Sequence, residues 1–265
     1  MIKLAMPFYL IWLVFDLFIL KRFAVNGIKT AEAVKKLNTY KHLRFIPDIS
    51  TELVKKRAKE LSTPQMKLTI NDIIMTVMSK SLHDYLREKT DDKTTKEIFI
   101  ACPFSLRPKP EFLGDFMYNN DFSIIPVRLR LVDNVHDGIK TISSDMQGVK
   151  NSLMPFGYAY LLGITMQLPE FMRAWLLEFL AGRLTIGFSN VPGPRSPFKT
   201  AGYYCQSEGF IMPNSKTMVG SFSVLSHADV IKMAVSMDKS VMESIEPLRK
   251  IVIKNLDEIF GSKEW

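Results

Sequence analysis

Two polar pairs carry the chemistry this sequence offers. Ser189-Asn190 closes an alternating run and leads into Val191-Pro192-Gly193-Pro194, while Asn71-Asp72 stands at the opening of an amphipathic helix. A hydroxyl donates and accepts, a carboxamide does the same through separate atoms, and a carboxylate only accepts. Groups of this kind hold or polarise a substrate oxygen, and neither Ser189 nor Asn190 reads as a nucleophile. Proton transfer near neutral pH falls first to histidine. The four histidines, His42, His83, His136 and His227, are scattered along the chain. His83 falls inside a helix and His227 in a turn between two strands, so each reads as an exposed or satisfied structural residue with no visible partner acid. Cys102 and Cys205 are the two cysteines, too far apart and too few for a disulfide framework or a redox motif. That usage fits a reducing, cytosol-facing environment. No His, Cys, Asp or Glu pair has the local spacing of a zinc or di-metal site, so no metal is expected.

The elements that must position these pairs are legible in the periodicity. Leu184, Ile186 and Phe188 alternate with Thr185, Gly187 and Ser189, the pattern of a strand with two unlike faces. Ser189 and Asn190 then sit where the ladder is expected to stop. Pro192 suits the second position of a turn, Gly193 the positive φ of a type II turn, and Pro194 cannot rejoin a central ladder. Thr69 is a suitable N-cap with Asp72 three residues on, and Ile74, Met78, Leu82 and Tyr85 form the stripe of the helix they open. Capping alone accounts for Asn71 and Asp72, and a rigid loop alone accounts for the Pro-Gly-Pro turn.

Around them, a strand is expected over 43–49, a helix from Ser50-Thr51-Glu52 to Leu61, and strands over 96–107 and 121–131. Val135, Ile139, Ile142, Met146, Val149 and Leu153 mark a helix that must pack on a sheet. The apolar stretch 156–182 is divided by Pro169, Glu170, Arg173 and Glu178 into two shorter helices, expected to be buried or to line a tunnel. Strands over 202–211, 218–225 and 230–237 precede a last helix with Val241, Ile245, Leu248, Val252, Leu256 and Ile259 inward. No repeat or linker divides the order, which indicates one α/β layered domain with a mixed sheet over 27–265.

The chain has 265 residues, 47% of them hydrophobic, and 35 Lys plus Arg against 27 Asp plus Glu give a formal charge of +8. A substantial core and an affinity for anionic partners follow, such as phospholipid headgroups or a phosphate-bearing cosubstrate. The basic residues lack any nucleic-acid signature, so no nucleic-acid partner is expected. Residues 1–26 form the one appendage. Met6 to Leu20 is an apolar run of 15 residues broken by Asp16 and followed by Lys21-Arg22. It is short for a span of roughly 20 residues, and Asp16 at depth costs about 3 kcal/mol. No small-residue cleavage site follows it. A buried helix, or an interfacial one with Phe8, Trp12 and Phe15 inserted and Lys21 and Arg22 at the headgroups, is favoured over a spanning one.

Thr69-Ile70-Asn71-Asp72, Pro103-Phe104-Ser105-Leu106-Arg107 and Ser189-Asn190-Val191-Pro192-Gly193-Pro194 resemble, in order and spacing, the bifunctional wax ester synthase/diacylglycerol acyltransferases (WS/DGAT). The likeness covers residues 27–260, and Asn119-Asn120 resembles the family's Gly-Asn position with the glycine replaced. The resemblance implies a chloramphenicol-acetyltransferase-like fold of two similar halves, of which this is the C-terminal one. It implies transfer of an acyl group from acyl-CoA, as cosubstrate with no cofactor, to a fatty alcohol or diacylglycerol. It also implies a membrane or lipid-droplet surface, at the cytosolic side of the endoplasmic reticulum or the droplet. Asn71, Asp72, Arg107, Ser189, Asn190, Pro192, Gly193 and Pro194 are the motif positions it brings to a substrate site at the interface of the halves.

The same family uses a histidine of a His-His-x-x-x-Asp-Gly motif as general base. This sequence lacks it. His136-Asp137-Gly138 matches only its ending and falls at the start of a helix, where Asp137 favours the N-terminus. The resemblance therefore leaves a C-terminal half with no base of its own, truncated, or completed by a separate N-terminal half. A noncatalytic lipid-binding remnant and an N-terminally anchored membrane protein are the alternatives.

Overall fold

A computed structural model of the chain describes residues 9–13, 27–30, 37, 40–90, 92–107, 121–205, 208–213 and 217–261. The strands are β1 (Lys41–Phe45), β2 (Ile49–Ser50), β3 (Glu97–Ser105), β4 (Phe122–Arg130), β5 (Ile186–Pro192), β6 (Lys199–Thr200), β7 (Tyr203–Tyr204), β8 (Gly220–His227) and β9 (Val230–Asp238). The helices are α1 (Thr51–Leu61), α2 (Ile70–Lys89), α3 (Val135–Lys150), α4 (Met154–Gln167), α5 (Glu170–Ala181) and α6 (Glu246–Phe260). The main sheet runs β1-β9-β8-β5-β3-β4, with β2 also on β9. β3, β5 and β8 are parallel, whereas β4, β9 and β1 join by antiparallel pairing. This is the mixed sheet flanked by helices that the periodicity indicates.

Alternation gives each strand one face for the core. Ile98, Ile100 and Cys102 of β3 register with Leu129, Val127 and Ile125 of β4, and all six are buried together. Ile186 and Phe188 of β5 and Phe222 and Val224 of β8 continue that layer. Helices α2, α3 and α6 pack with it: Ile73, Val77, Ile139, Ile142, Leu248 and Val252 are in the same cluster.

Helix α2 is buried on nearly every side rather than along one stripe, so its polar residues need internal partners. The Ser79 hydroxyl donates to Arg130 O at 2.6 Å and accepts from Val132 N at 3.1 Å, which fixes α2 to the end of β4. Asn255 of α6 donates to Ser81 Oγ at 3.0 Å and to Asp84 Oδ2 at 3.1 Å. Lys80 pairs with the same carboxylate at 2.9 Å. Burial acts to raise the Asp84 carboxyl, but hydrogen bonds from Lys80, His83 and Asn255 outweigh it and hold its pKa below the ordinary value.

Several elements differ from their sequence reading, each for a local reason. The strand expected over 43–49 is two, because Pro47 cannot donate to β9 and the chain re-pairs only at Ile49. Among the described residues, the strand expected over 202–211 is reduced to β7, a two-residue arm paired with β6 across a turn in which Ala201 and Gly202 take φ of 50° and 86°. The last helix begins at Glu246, where Pro247 fits the first turn, and Val241 and Ile245 precede it. Helices α4 and α5 form with their break at Pro169, but α4 buries one face only, through Pro155, Gly157, Tyr158 and Thr165, and α5 none. Phe171, Trp175, Tyr160 and Met166 are more than half exposed.

Residues 9–13 are helical, with Leu13 in the core and Trp12 half exposed. The Tyr9 ring fills the space beside Gly157 of α4, so this turn packs against the domain. Phe8, Phe15, Lys21 and Arg22 lie outside the described residues. Among the described residues, no helix is long and apolar enough to cross a membrane.

Candidate functional site

The strand expected to stop at Ser189-Asn190 continues through Pro192. Register runs unbroken from Ile186↔Gly220 to Pro192↔Ser226 on the β8 side. On the other side β5 meets β3 only at Ile100↔Ile186 and Ala101↔Gly187. Beyond Gly187 the two parallel strands separate, and β3 keeps only β4 as its partner as far as Ser105. A crevice at the carboxyl ends of splayed parallel strands is where open α/β sheets bind ligands. Pro192 is tolerated there because its missing N–H falls on a strand with a single neighbour.

Gly193 is required for a different reason from the one its sequence context suggests. It is not among the glycines with positive φ, so no type II turn forms. Its N–H donates to Ser226 O at 2.8 Å, and a Cβ at this position would stand 2.3 Å from that oxygen. The backbones approach too closely for any side chain. Pro194 O then accepts from Ala228 N at 2.7 Å, so the motif is clamped to the end of β8.

Asn190 and Asn71 meet across this crevice, with Asn190 Nδ2 3.4 Å from Asn71 Oδ1. Two motifs 119 residues apart are thereby joined at one place. Asn71 is carried by the first turn of α2, which Thr69 and Asp72 lock in a reciprocal capping box. Asp72 Oδ2 accepts from Thr69 N at 2.8 Å and from Thr69 Oγ1 at 2.7 Å. Its Oδ1 is buried and has no donor among the described residues. Such an orphan acceptor costs on the order of 1–3 kcal/mol unless a partner arrives.

Ser189 does not share that rim. Alternation turns it to the opposite sheet face with Ser221 and Ser223, where Ser223 Oγ accepts from Met212 N at 2.8 Å and Ser221 Oγ donates to Met212 O at 3.1 Å. Arg107 is exposed just beyond β3 and beside residues 108–120, which lie outside the described residues together with Asn119 and Asn120.

No histidine stands at the crevice. His83 is twelve residues along α2 from Asn71, roughly 18 Å by helical rise, and its Nδ1 is 3.2 Å from Asp84 Oδ1. It therefore does have a partner acid, though a structural one. His42 is on β1, three strand spacings or roughly 14 Å from β5. His136 is exposed at the start of α3, where its N–H donates to the N-cap oxygen of Asn134 at 2.8 Å. His227 is the last residue of β8, not a turn residue. It is buried on the face away from Asn190, with Glu208 Oε2 3.5 Å from its Nδ1.

On the far edge, a cleft of about 540 Å³ is lined by Trp12, Phe99, Pro126, Arg128, Arg130 and Tyr158, among others. Its cations are already paired, Arg130 with Asp145 at 2.6 Å and Arg128 with Glu97.

Comparison with known proteins gives this geometry a family. Residues 118–260 match the WS/DGAT C-terminal domain. The chain is 23% identical over 215 residues to wax ester synthase/diacylglycerol acyltransferase 2 of Arabidopsis thaliana, covering 72% of this chain and 44% of that protein. Among solved structures, a wax ester synthase/diacylglycerol acyltransferase from Marinobacter aquaeolei VT8 superposes with a TM-score of 0.56 at 13% identity, over 84% of this chain and 49% of that one. The condensation domain of the Monacolin K polyketide synthase MokA gives 0.55 at 10% identity, over 84% and 46%. The chain thus spans about half the length of the relatives it matches. With the matched segment running from before β4 through α6 and including the Asn190 motif, the chain belongs to the WS/DGAT C-terminal domain family.

Proposed function

We propose that this chain is the acceptor-positioning half of an acyl-CoA-dependent O-acyltransferase that esterifies diacylglycerol or a fatty alcohol. The observation that supports this reading is the meeting of Asn71 and Asn190 at the β3/β5 crevice. In the reaction, the acceptor oxygen attacks the thioester carbonyl, its proton passes to a histidine base, and coenzyme A leaves as the thiolate. The Asn190 amide, turned toward a substrate oxygen, stabilises charge there. Its own chain offers no base at that place, so the imidazole comes from a half bearing His-His-x-x-x-Asp-Gly. The orphan Oδ1 of Asp72 is a contact awaiting such a partner.

A lipid surface is the proposed working place, at the endoplasmic reticulum or a lipid droplet. The exposed aromatic residues of α4 and α5, half-exposed Trp12 and a net charge of +8 support it. Large apolar side chains grouped at a surface mark an interaction site.

The test is acyl transfer from radiolabelled palmitoyl-CoA to hexadecanol or diacylglycerol in detergent. The chain is assayed alone and with an N-terminal half that carries the base motif. Turnover only in the mixture is expected, the base contributing a factor of about 100 to 10,000. Turnover by the chain alone refutes the assignment of the base to another half. Silence in both, with acyl-CoA bound, favours a lipid-binding protein without catalysis.

A further inference from the structure

Cys205, Glu208 and His227 converge on the sheet face opposite α2, and we propose that they bind one divalent transition-metal ion of the zinc class. The sulfur, a carboxylate oxygen and an imidazole nitrogen of the three residues all lie within 4.8 Å of one another. They reach this arrangement from two elements: His227 ends β8, while Cys205 and Glu208 belong to the excursion that leaves β5 after Pro192 and returns at β8.

His227 carries the second, independent observation. It is 4% exposed, and neither Nδ1 nor Nε2 has a hydrogen-bond partner among the described residues. Glu208 Oε2, at 3.5 Å from Nδ1, is beyond good hydrogen-bond distance. An imidazole buried with both nitrogens unpaired pays a desolvation penalty with no return, and a metal ion at one nitrogen removes half of that debt. The ring is held in place, because Phe198 stacks on it at 5.4 Å and 17°.

The donor set indicates the kind of ion. Calcium and magnesium require oxygen ligands, whereas thiolate with imidazole and one carboxylate suits zinc. Tetrahedral zinc with bonds of about 2.0–2.3 Å sets its ligand atoms roughly 3.3–3.8 Å apart, so closure requires only small side-chain shifts. Binding takes the Cys205 thiol as thiolate and releases its proton to solvent; a water completes the fourth position.

The consequence is a brace behind the Asn190 strand. Gly193 N and Pro194 O are already hydrogen-bonded to Ser226 O and Ala228 N, on either side of His227. Cys205 N donates to Phe198 O at 2.9 Å, and Met212 is clasped by Ser221 and Ser223. A metal at this point ties the middle of the excursion to the strand that its two ends already grip.

The test is titration of the chelator-treated full chain with Co²⁺. The expected result is one equivalent bound with a thiolate-to-cobalt charge-transfer band, displaced by Zn²⁺, and a thermal midpoint raised by Zn²⁺. Both effects are lost in Cys205→Ser and weakened at least tenfold in Glu208→Gln. The band reports Cys205, since burial pushes the Cys102 thiol up to about 12 and leaves it protonated. Cys205 is only partly buried, so its serine variant retains the fold that His227→Ala endangers. No band in the wild-type chain, or a band that survives Cys205→Ser, overturns the proposal.

Discussion

Gly193 and Asn190 illustrate how much of this site is set by single atoms. A methyl group at 193 meets the Ser226 carbonyl at 2.3 Å, and that carbonyl is itself fixed as the acceptor of Gly193 N. Neither backbone can yield without losing the clamp that ends the β5–β8 ladder. Gly193→Ala is therefore expected to destabilise the chain by about 1–3 kcal/mol, a fall in thermal midpoint of roughly 2–12 °C at this size. A midpoint equal to wild type would show that the clamp is slack. The Asn71 and Asn190 contact is of another kind, since at 3.4 Å it is long and both side chains are only partly buried. It adds little stability and leaves the amides available to a ligand.

At the scale of elements, the positions nearest the site were the most readable. Thr69 and Asp72 announce their capping box in sequence, and the box places Asn71 at the crevice. The alternation of Ile186 and Phe188 likewise fixes the face on which Asn190 emerges. What local pattern cannot contain is the separation of β3 from β5, which depends on strands 80 residues apart in sequence, or the gathering of Cys205, Glu208 and His227 from a loop and a strand end. The same limit applies to α4 and α5. Their composition matches buried helices, and only the three-dimensional arrangement shows that α5 and the outer side of α4 stay exposed among the described residues. If these helices meet lipid, Trp175→Glu, at a position 59% exposed, reduces cosedimentation with anionic vesicles several-fold without lowering the thermal midpoint. Unchanged cosedimentation would remove α5 from the lipid contact.

Across the whole molecule, distant segments are joined by a few buried polar groups. Lys29, 1% exposed, donates from Nζ to Gly182 O at 2.6 Å and to Leu184 O at 2.7 Å, tying the start of the domain to the link between α5 and β5. Burial lowers its pKa from 10.5 to about 8. Between those values the unfolded chain holds a proton that the folded chain does not, so this group makes stability rise with pH across that window. The wild-type thermal midpoint is expected to gain on that of Lys29→Met from pH 8 to pH 10; a constant difference would contradict the burial of a costly charge. On the proposed reading, the Asn71 and Asn190 pair places an acceptor and a carbonyl at a crevice where no imidazole of this chain stands. The most direct test of that claim is the complemented acyl-transfer assay with Asn190→Ala beside wild type. No turnover is expected from either chain alone, and in the mixture Asn190→Ala is expected to lose about 100- to 1,000-fold in kcat at an unchanged thermal midpoint. Full activity of Asn190→Ala in the mixture would show that the crevice between β3 and β5 is not where acyl transfer takes place.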